Sequence, residues 1–263
     1  MKPAAFDYAR PKEWSEAVKL VGAGARAGAG TQSLGPLLNL RLSQPSTIAD
    51  LRHLPNYAGV IVAGGVLRIG AGTTHAAIED GAVPGRIGEI MAAVARRIAY
   101  RPVRNRGTIG GSLAHADPAA DWVAVLPALG GTAIAFGPNG ERRLPLTGFV
   151  LGIFETALAP DELLRAVEVP VLPATAKWGH WKFCRKVGEF SKATACVLSV
   201  PGAKPRAVLA ALDGPPLVIE DASALLADPV REASRVVATV EGLSPWRRSV
   251  AETALRHAVE GAA

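Results

Sequence analysis

Cysteine is nearly absent, with only Cys184 and Cys196 in 263 residues. They form no CxxC pair, and two thiols cannot supply a zinc site or an iron–sulfur cluster, so any metal centre belongs to a partner chain. A reducing cytoplasm favours two buried thiols over a disulfide. Aromatic residues are scarce at 5%, while Gly (28) and Pro (20) are plentiful, so glycine sets many of the turns and close backbone approaches. No apolar run follows Lys2, which argues against a secretory leader and for a cytoplasmic home. The longest apolar stretch, Trp122 to Phe136, is broken by Pro127 and Gly130-Gly131. It is too short for a membrane span and is expected in the core. Against these absences stand 49% hydrophobic and 20% charged residues, a composition that excludes a disordered chain. The net charge of +6 suits an anionic partner without choosing among nucleotide, nucleic acid and acidic protein. The length fits one large or two modest domains.

Periodicity predicts an amphipathic helix over Pro11 to Val21, carrying Trp14, Ala17, Val18 and Val21 on one face and stopped by Gly22-Ala23-Gly24. Leu34, Leu37, Leu38, Leu40 and Leu42 then read as an apolar stretch in the interior. Gly59 to Ala63 and Val66 to Gly70, joined by Gly64-Gly65, read as a tight hairpin. Thr73 or Thr74 is placed to cap a helix from His75 to Asp80. A helix over Ile87 to Tyr100 is expected to end in Arg96, Arg97 and Arg101, the favoured place for cations. A buried helix spans Trp122 to Leu129. Another hairpin joins Gly131 to Phe136 with Glu141 to Pro145, and a short strand covers Glu168 to Val171. After a boundary at Pro173-Ala174-Thr175 come strands over Trp178 to Lys186, Ala193 to Val200 and Arg206 to Leu212. Helices near Ala222 to Ala227, Pro229 to Val240 and Pro245 to Val259 complete a smaller, separate lobe.

Two glycine runs carry the chemistry: Gly28-Ala29-Gly30-Thr31-Gln32-Ser33 and Gly107-Thr108-Ile109-Gly110-Gly111-Ser112. Such runs let successive backbone N–H groups converge on an anion, and two of them suit a dinucleotide with separate parts to hold. Gly22, Gly24 and Gly28 outline a dinucleotide fingerprint, but helix-like residues precede Gly22 where that motif needs a strand. Asp117 and Asp121 can serve as carboxylates at a helix N-terminus, with capping the preferred role for Asp117. His115 reads as a structural residue, since no acid or nucleophile accompanies it. His53, His75, His180 and His257 have no metal-ligand spacing. The cluster Arg96, Arg97, Arg101, Arg104 and Arg106 lacks the interleaved aromatics of a nucleic-acid surface and is assigned to a helix end and an anionic cofactor. Lys182, Arg185, Lys186 and Lys192 form a second basic group that faces either a cofactor, a partner or solvent.

Ala29 to Leu34 with Pro36 to Leu42, the stretch Arg104 to Asp121, and Lys182 to Ala193 resemble the medium subunit of molybdenum hydroxylases of the carbon monoxide dehydrogenase and xanthine dehydrogenase type. The resemblance implies an α+β fold. A two-lobed FAD-binding domain of the vanillyl-alcohol oxidase / p-cresol methylhydroxylase type spans residues 1–173 (lobes about 1–54 and 55–173), followed by a C-terminal α+β domain over 174–263. It implies FAD as cofactor. Ala29, Gly30, Thr31, Gln32 and Ser33 with Thr108, Ile109, Gly110, Gly111 and Ser112 would wrap its pyrophosphate and neighbouring parts. Asp121 would hydrogen-bond it, and Phe190 would stand where the family has an aromatic residue, often tyrosine. Ala29 occupies a usual glycine position, so either its φ is negative or the loop is reshaped. The implied role is electron transfer to an external acceptor, from iron–sulfur clusters of a small subunit that serve a large molybdopterin subunit. The implied assembly is a heterohexamer, a dimer of heterotrimers, without nucleic acid or membrane insertion. No catalytic side chain and no metal ligand is expected in this chain. The alternatives are a free-standing FAD-dependent oxidase of a small molecule and a basic nucleotide-binding module.

Overall fold

The computed structural model describes residues 2–262. Near the N-terminus, β1 (Asp7–Ala9), α1 (Trp14–Gly22), β2 (Arg26–Gly28), α2 (Leu34–Asn39) and β3 (Thr47–Asp50) form a parallel three-stranded sheet of order β1-β3-β2. Trp14, Ala17 and Val18 are the buried face of α1, as their spacing predicts. Trp14 also joins this sheet to the next unit. Its indole N–H donates to Pro55 O at 3.0 Å, its ring meets Tyr57 edge-on and Phe136 at centroid distances of 5.7 Å, and the Arg165 guanidinium lies over it.

The chain continues through β4 (Val60–Ala63), β5 (Val66–Gly70), α3 (His75–Glu79), α4 (Gly85–Ala95), α5 (Arg101–Arg104), α6 (Ile109–His115) and α7 (Asp121–Ala128). It proceeds through β6 (Thr132–Gly137), β7 (Gly140–Pro145), the small hairpin β8 (Val150–Gly152) and β9 (Glu155–Thr156), and β10 (Leu163–Pro170). The sheet order is β4-β5-β10-β6-β7, with every pair antiparallel. The hairpin at Gly64-Gly65 forms with φ of +57° and +76°, the conformation a two-residue turn between twisted strands needs. Thr74, not Thr73, caps α3, its Oγ1 accepting from Ala77 N at 3.1 Å. The short strand expected at Glu168 to Val171 is the end of β10, which enters the sheet centre between β5 and β6.

The third unit is a four-stranded antiparallel meander of β11 (Lys177–Phe183), β12 (Ala193–Ser199), β13 (Arg206–Ala210) and β14 (Leu217–Ile219), with α8 (Ser223–Ala227), α9 (Pro229–Ala238) and α10 (Pro245–Ala262). One face of this sheet packs on α9 and α10. Helix α10 lies so close that a Cβ at Gly179 would sit 1.8 Å from Ala258 O. The other face, through Cys196, Leu198, Val208 and Ala210, joins the same apolar core as Trp122 to Leu126 of α7. The meander thus packs on the preceding unit through α7, which is buried along its whole length.

Three local expectations are corrected. Leu40 and Leu42 are 51% and 72% exposed, and only Leu38 of that leucine run is buried. Helix α2 ends at Asn39, and Arg41 at φ +58° turns the following chain outward. The helix expected to reach Tyr100 ends at Ala95; Ala99 has φ +42°, and a new helix starts at Arg101. Both cysteines are free thiols, as expected, but only Cys196 is buried and Cys184 is half-buried.

Candidate functional site

Both glycine runs open onto one cavity of about 640 Å³, a size typical of cofactor sites. The first run leaves β2 and leads into α2, and Ala29, Gly30, Thr31, Gln32 and Ser33 all line the cavity. Thr31 is left-handed at φ +58°, while Ser33 is right-handed at φ −97°, ψ −45°. Among the described residues no acceptor meets the amides of Gly30, Thr31, Gln32 or Ser33. Ala29 keeps a negative φ, so alanine fits this usual glycine position without strain.

The second run is built differently. Ile109 N donates to Thr73 O at 3.0 Å, Gly110 N to Ala71 O at 2.8 Å and Ser112 N to Thr108 O at 3.0 Å. Gly111 N donates to Thr108 Oγ1 at 3.0 Å. These amides are used inside the protein, so the expected second convergence of N–H groups does not form. The glycines serve close approach instead. A Cβ at Gly110 would lie 2.3 Å from Ala71 Cβ, and one at Gly30 would lie 2.0 Å from Arg106 O. The two loops thus touch backbone to backbone, and the second presents a smooth wall.

Thr108, Gly110, Gly111, Ser112, Asp121 and Phe190 also line the cavity. Ile109 does not: its side chain is fully buried in the core. Asp121 begins α7 and is buried; Lys182 Nζ, from β11, donates to its Oδ2 at 2.8 Å and to Arg97 O at 2.9 Å. His180 Nε2 stands 3.5 Å from Asp121 Oδ1, with no hydrogen bond formed at either atom. Burial pushes the Asp121 carboxyl up, but His180 and the Lys182 ammonium together hold it below the usual carboxylate range. Phe190 is 66% exposed and sits on a segment fixed at two points. Tyr100 OH donates to Val187 O at 2.9 Å, and Ser191 Oγ donates to Ala119 O at 3.2 Å. Phenylalanine here leaves the cavity without the hydroxyl that a tyrosine would bring.

Asp117 does not cap a helix; its Oδ1 accepts from Ala119 N at 2.9 Å in the turn before α7. His115 stacks on Phe154 with centroids 4.8 Å apart. Two members of the arginine cluster pair with acids. Arg101 pairs with Glu79 and Asp80, and buried Arg104 pairs with Glu79 while donating to Ile98 O and Ala99 O. None of the five lines the cavity; the cations that do are Arg26 and Lys182. Sequence reasoning left Lys182 undecided among its basic neighbours and gave His75 no role, although both line the cavity. Their contacts with Asp121 and Trp122 span 61 and 47 residues, so no local signal marked them.

An unpartnered amide loop, a glycine wall and a buried ion pair around one cavity define a nucleotide-cofactor protein. Residues 4–172 match the FAD binding domain in molybdopterin dehydrogenase, and the chain belongs to that family. It is 35% identical over 257 residues to the 6-hydroxypseudooxynicotine dehydrogenase complex subunit alpha of Paenarthrobacter nicotinovorans, covering 93% of this chain and 87% of that one. It is 36% identical over 202 residues to the carbon monoxide dehydrogenase medium chain of Hydrogenophaga pseudoflava, covering 75% and 70%. The solved structure of carbon monoxide dehydrogenase from that organism, lacking the Mo-pyranopterin moiety, superposes with a TM-score of 0.91 at 31% identity over 100% of this chain and 98% of that one. The chain is thus an FAD-binding oxidoreductase subunit of the molybdenum hydroxylase class, with the α+β fold of the medium subunit.

Proposed function

We propose that this chain holds FAD in the cavity between its two glycine loops and passes electrons from iron–sulfur clusters of a small partner subunit to an external acceptor. A large molybdopterin subunit would oxidise the substrate, and the assembly would be a dimer of heterotrimers in the cytoplasm. The observation that carries the reading is the first loop, where four consecutive amides without acceptors, Gly30 to Ser33, belong to residues that line the cavity. A pyrophosphate supplies the missing acceptors, and no bulky side chain stands on the facing wall of Gly110 and Gly111.

Bound FAD would accept electrons singly or in pairs and pass them on. The chain's own residues would bind and orient it. Gly30 to Ser33 would hold its phosphates, Thr108 would keep the second loop in shape, and Asp121 with Lys182 would present a fixed dipole along the wall. Phe190 would cover part of the cavity mouth and exclude water. The division into an FAD-binding part over 1–173, with lobes about 1–54 and 55–173, and a C-terminal domain over 174–263 belongs to this proposal. In it Lys182 and Phe190 come from the C-terminal part, which closes one side of the site. The relatives' names, a complex subunit alpha and a medium chain, support a heteromeric assembly, and the two cysteines leave cluster binding to another chain.

Mixing the small subunit, reduced beforehand with dithionite and freed of excess reductant, with the flavin-loaded chain tests the electron route. Bleaching of the flavin band together with reoxidation of the clusters is expected. Clusters that stay reduced beside an unchanged flavin band would overturn the route.

A further inference from the structure

His75 opens α3 and is 5% exposed. Its backbone N donates to Gly107 O at 2.9 Å, which pins the residue against the second glycine loop. The Cδ2–Nε2 edge of the ring faces Gly107: a Cβ there would lie 2.9 Å from Cδ2 and 3.1 Å from Nε2. On the ring's other side, Trp122 Nε1 donates to His75 Nδ1 at 3.1 Å in the buried interior.

An indole N–H can only donate, so Nδ1 must offer a lone pair, and the proton of the neutral ring resides on Nε2. Burial pushes the His75 pKa down to about 4, helped by Arg104 on α5 and opposed by Asp121 on α7. At neutral pH the ring is uncharged and its tautomer fixed. Trp122 makes the ring's one side-chain hydrogen bond among the described residues, so Nε2–H has no protein acceptor. The ring lines the cavity, and Nε2 is not among the described buried polar atoms that lack a partner, so this N–H is open to the cavity and free to donate to whatever occupies it.

We infer that His75 is a fixed, uncharged hydrogen-bond donor to an acceptor atom of the bound cofactor, delivered from behind the second glycine loop. The inference rests on the FAD reading and adds to it a residue outside both loops. A neutral N–H suits a carbonyl oxygen or ring nitrogen of the cofactor, since it contributes direction without adding charge. Trp122 acts through His75 as a positioning residue: it selects the tautomer and leaves the donor facing the cavity.

The test is heteronuclear NMR on the full chain with 15N-labelled histidine, before and after loading with FAD. The expected result is a His75 ring protonated at Nε2 in both states, with the Nε2–H signal displaced and its exchange with water slowed at least about tenfold on loading. A flavin-loaded chain whose His75 signals do not change, or whose proton sits on Nδ1, overturns the inference while leaving the FAD reading intact. A chain that takes up no FAD fails that reading and the inference with it. In parallel, His75→Phe is expected to weaken FAD binding about tenfold, the scale of one neutral hydrogen bond. His75→Gln, whose amide keeps an acceptor and a donor, recovers most of the loss. Equal affinity in wild type and a folded His75→Phe variant also overturns the inference, and if that variant does not fold, the wild-type spectra decide.

Discussion

The ammonium of Lys182 lies 2.8 Å from the carboxylate of Asp121, an ion pair that ties β11 of the C-terminal meander to the first residue of α7. Both side chains are at most 8% exposed. Breaking such a pair from one side strands a charge, which costs about 3–5 kcal/mol. Lys182→Met should therefore destabilise the protein by roughly that amount, whereas Lys182→Met combined with Asp121→Asn should recover much of it. Denaturant unfolding of the two variants checks this, and a double variant no more stable than the single one would count against the pairing. The sign of the pH dependence follows. The folded-state carboxyl is held below its ordinary 3.8, so its contribution is full above that value and is lost as pH falls through the lower folded value. Asp121→Asn should flatten the stability profile in that acid window.

His75 contributes at a higher pH. Its folded pKa is about 4 against an ordinary 6.5, so between these values the unfolded chain binds the extra proton and stability falls as pH drops. The full difference is on the order of 3 kcal/mol. Thermal melts from pH 7 to pH 4 should show a shallower slope for His75→Gln than for wild type. Parallel profiles would show that His75 takes up its proton in the fold at the same pH as in the unfolded chain.

Gly30 and Gly35 separate loop geometry from glycine content. A Cβ at Gly30 would lie 2.0 Å from Arg106 O, whereas one at Gly35 meets nothing within 4 Å. Gly30→Ala is expected to part the two loops, lower the flavin-to-protein ratio and cost about 1–3 kcal/mol. Gly35→Ala should keep full flavin and gain up to about 1 kcal/mol, because alanine loses less backbone entropy in α2. Absorbance ratios and melting temperatures on both variants read the two effects independently.

Leu40 and Leu42 face solvent in this chain. Leu40→Gln and Leu42→Gln should each change stability by no more than about 0.5 kcal/mol. A loss of several kcal/mol in chemical denaturation would place these leucines in the core after all.

Local signals made much of the fold readable. The Gly64-Gly65 turn, the Thr74 cap, the buried face of α1 and the apolar length of α7 are each written within a few residues. The exit of the leucine run is not, because it depends on the left-handed turn at Arg41. Nor is the place of β10, whose pairing with β5 and β6 joins segments far apart in the chain. In the site, both loops were legible as glycine runs, but the difference between them was not. Whether an amide is free depends on what lies behind it, and Ala71 and Thr73 lie behind only the second loop. Lys182 and His75 are defined by Asp121 and Trp122, distant partners that no spacing rule connects.

The central claim is that the cavity between the loops holds FAD. It is tested most directly by purifying the chain co-expressed with the proposed large and small subunits, releasing the chromophore and measuring its identity and stoichiometry, for wild type and for Gly30→Ala. The account predicts one FAD per wild-type chain and a clear deficit in a folded, assembled Gly30→Ala variant. An assembled wild-type complex without flavin, or a Gly30→Ala complex with the full complement, would contradict it.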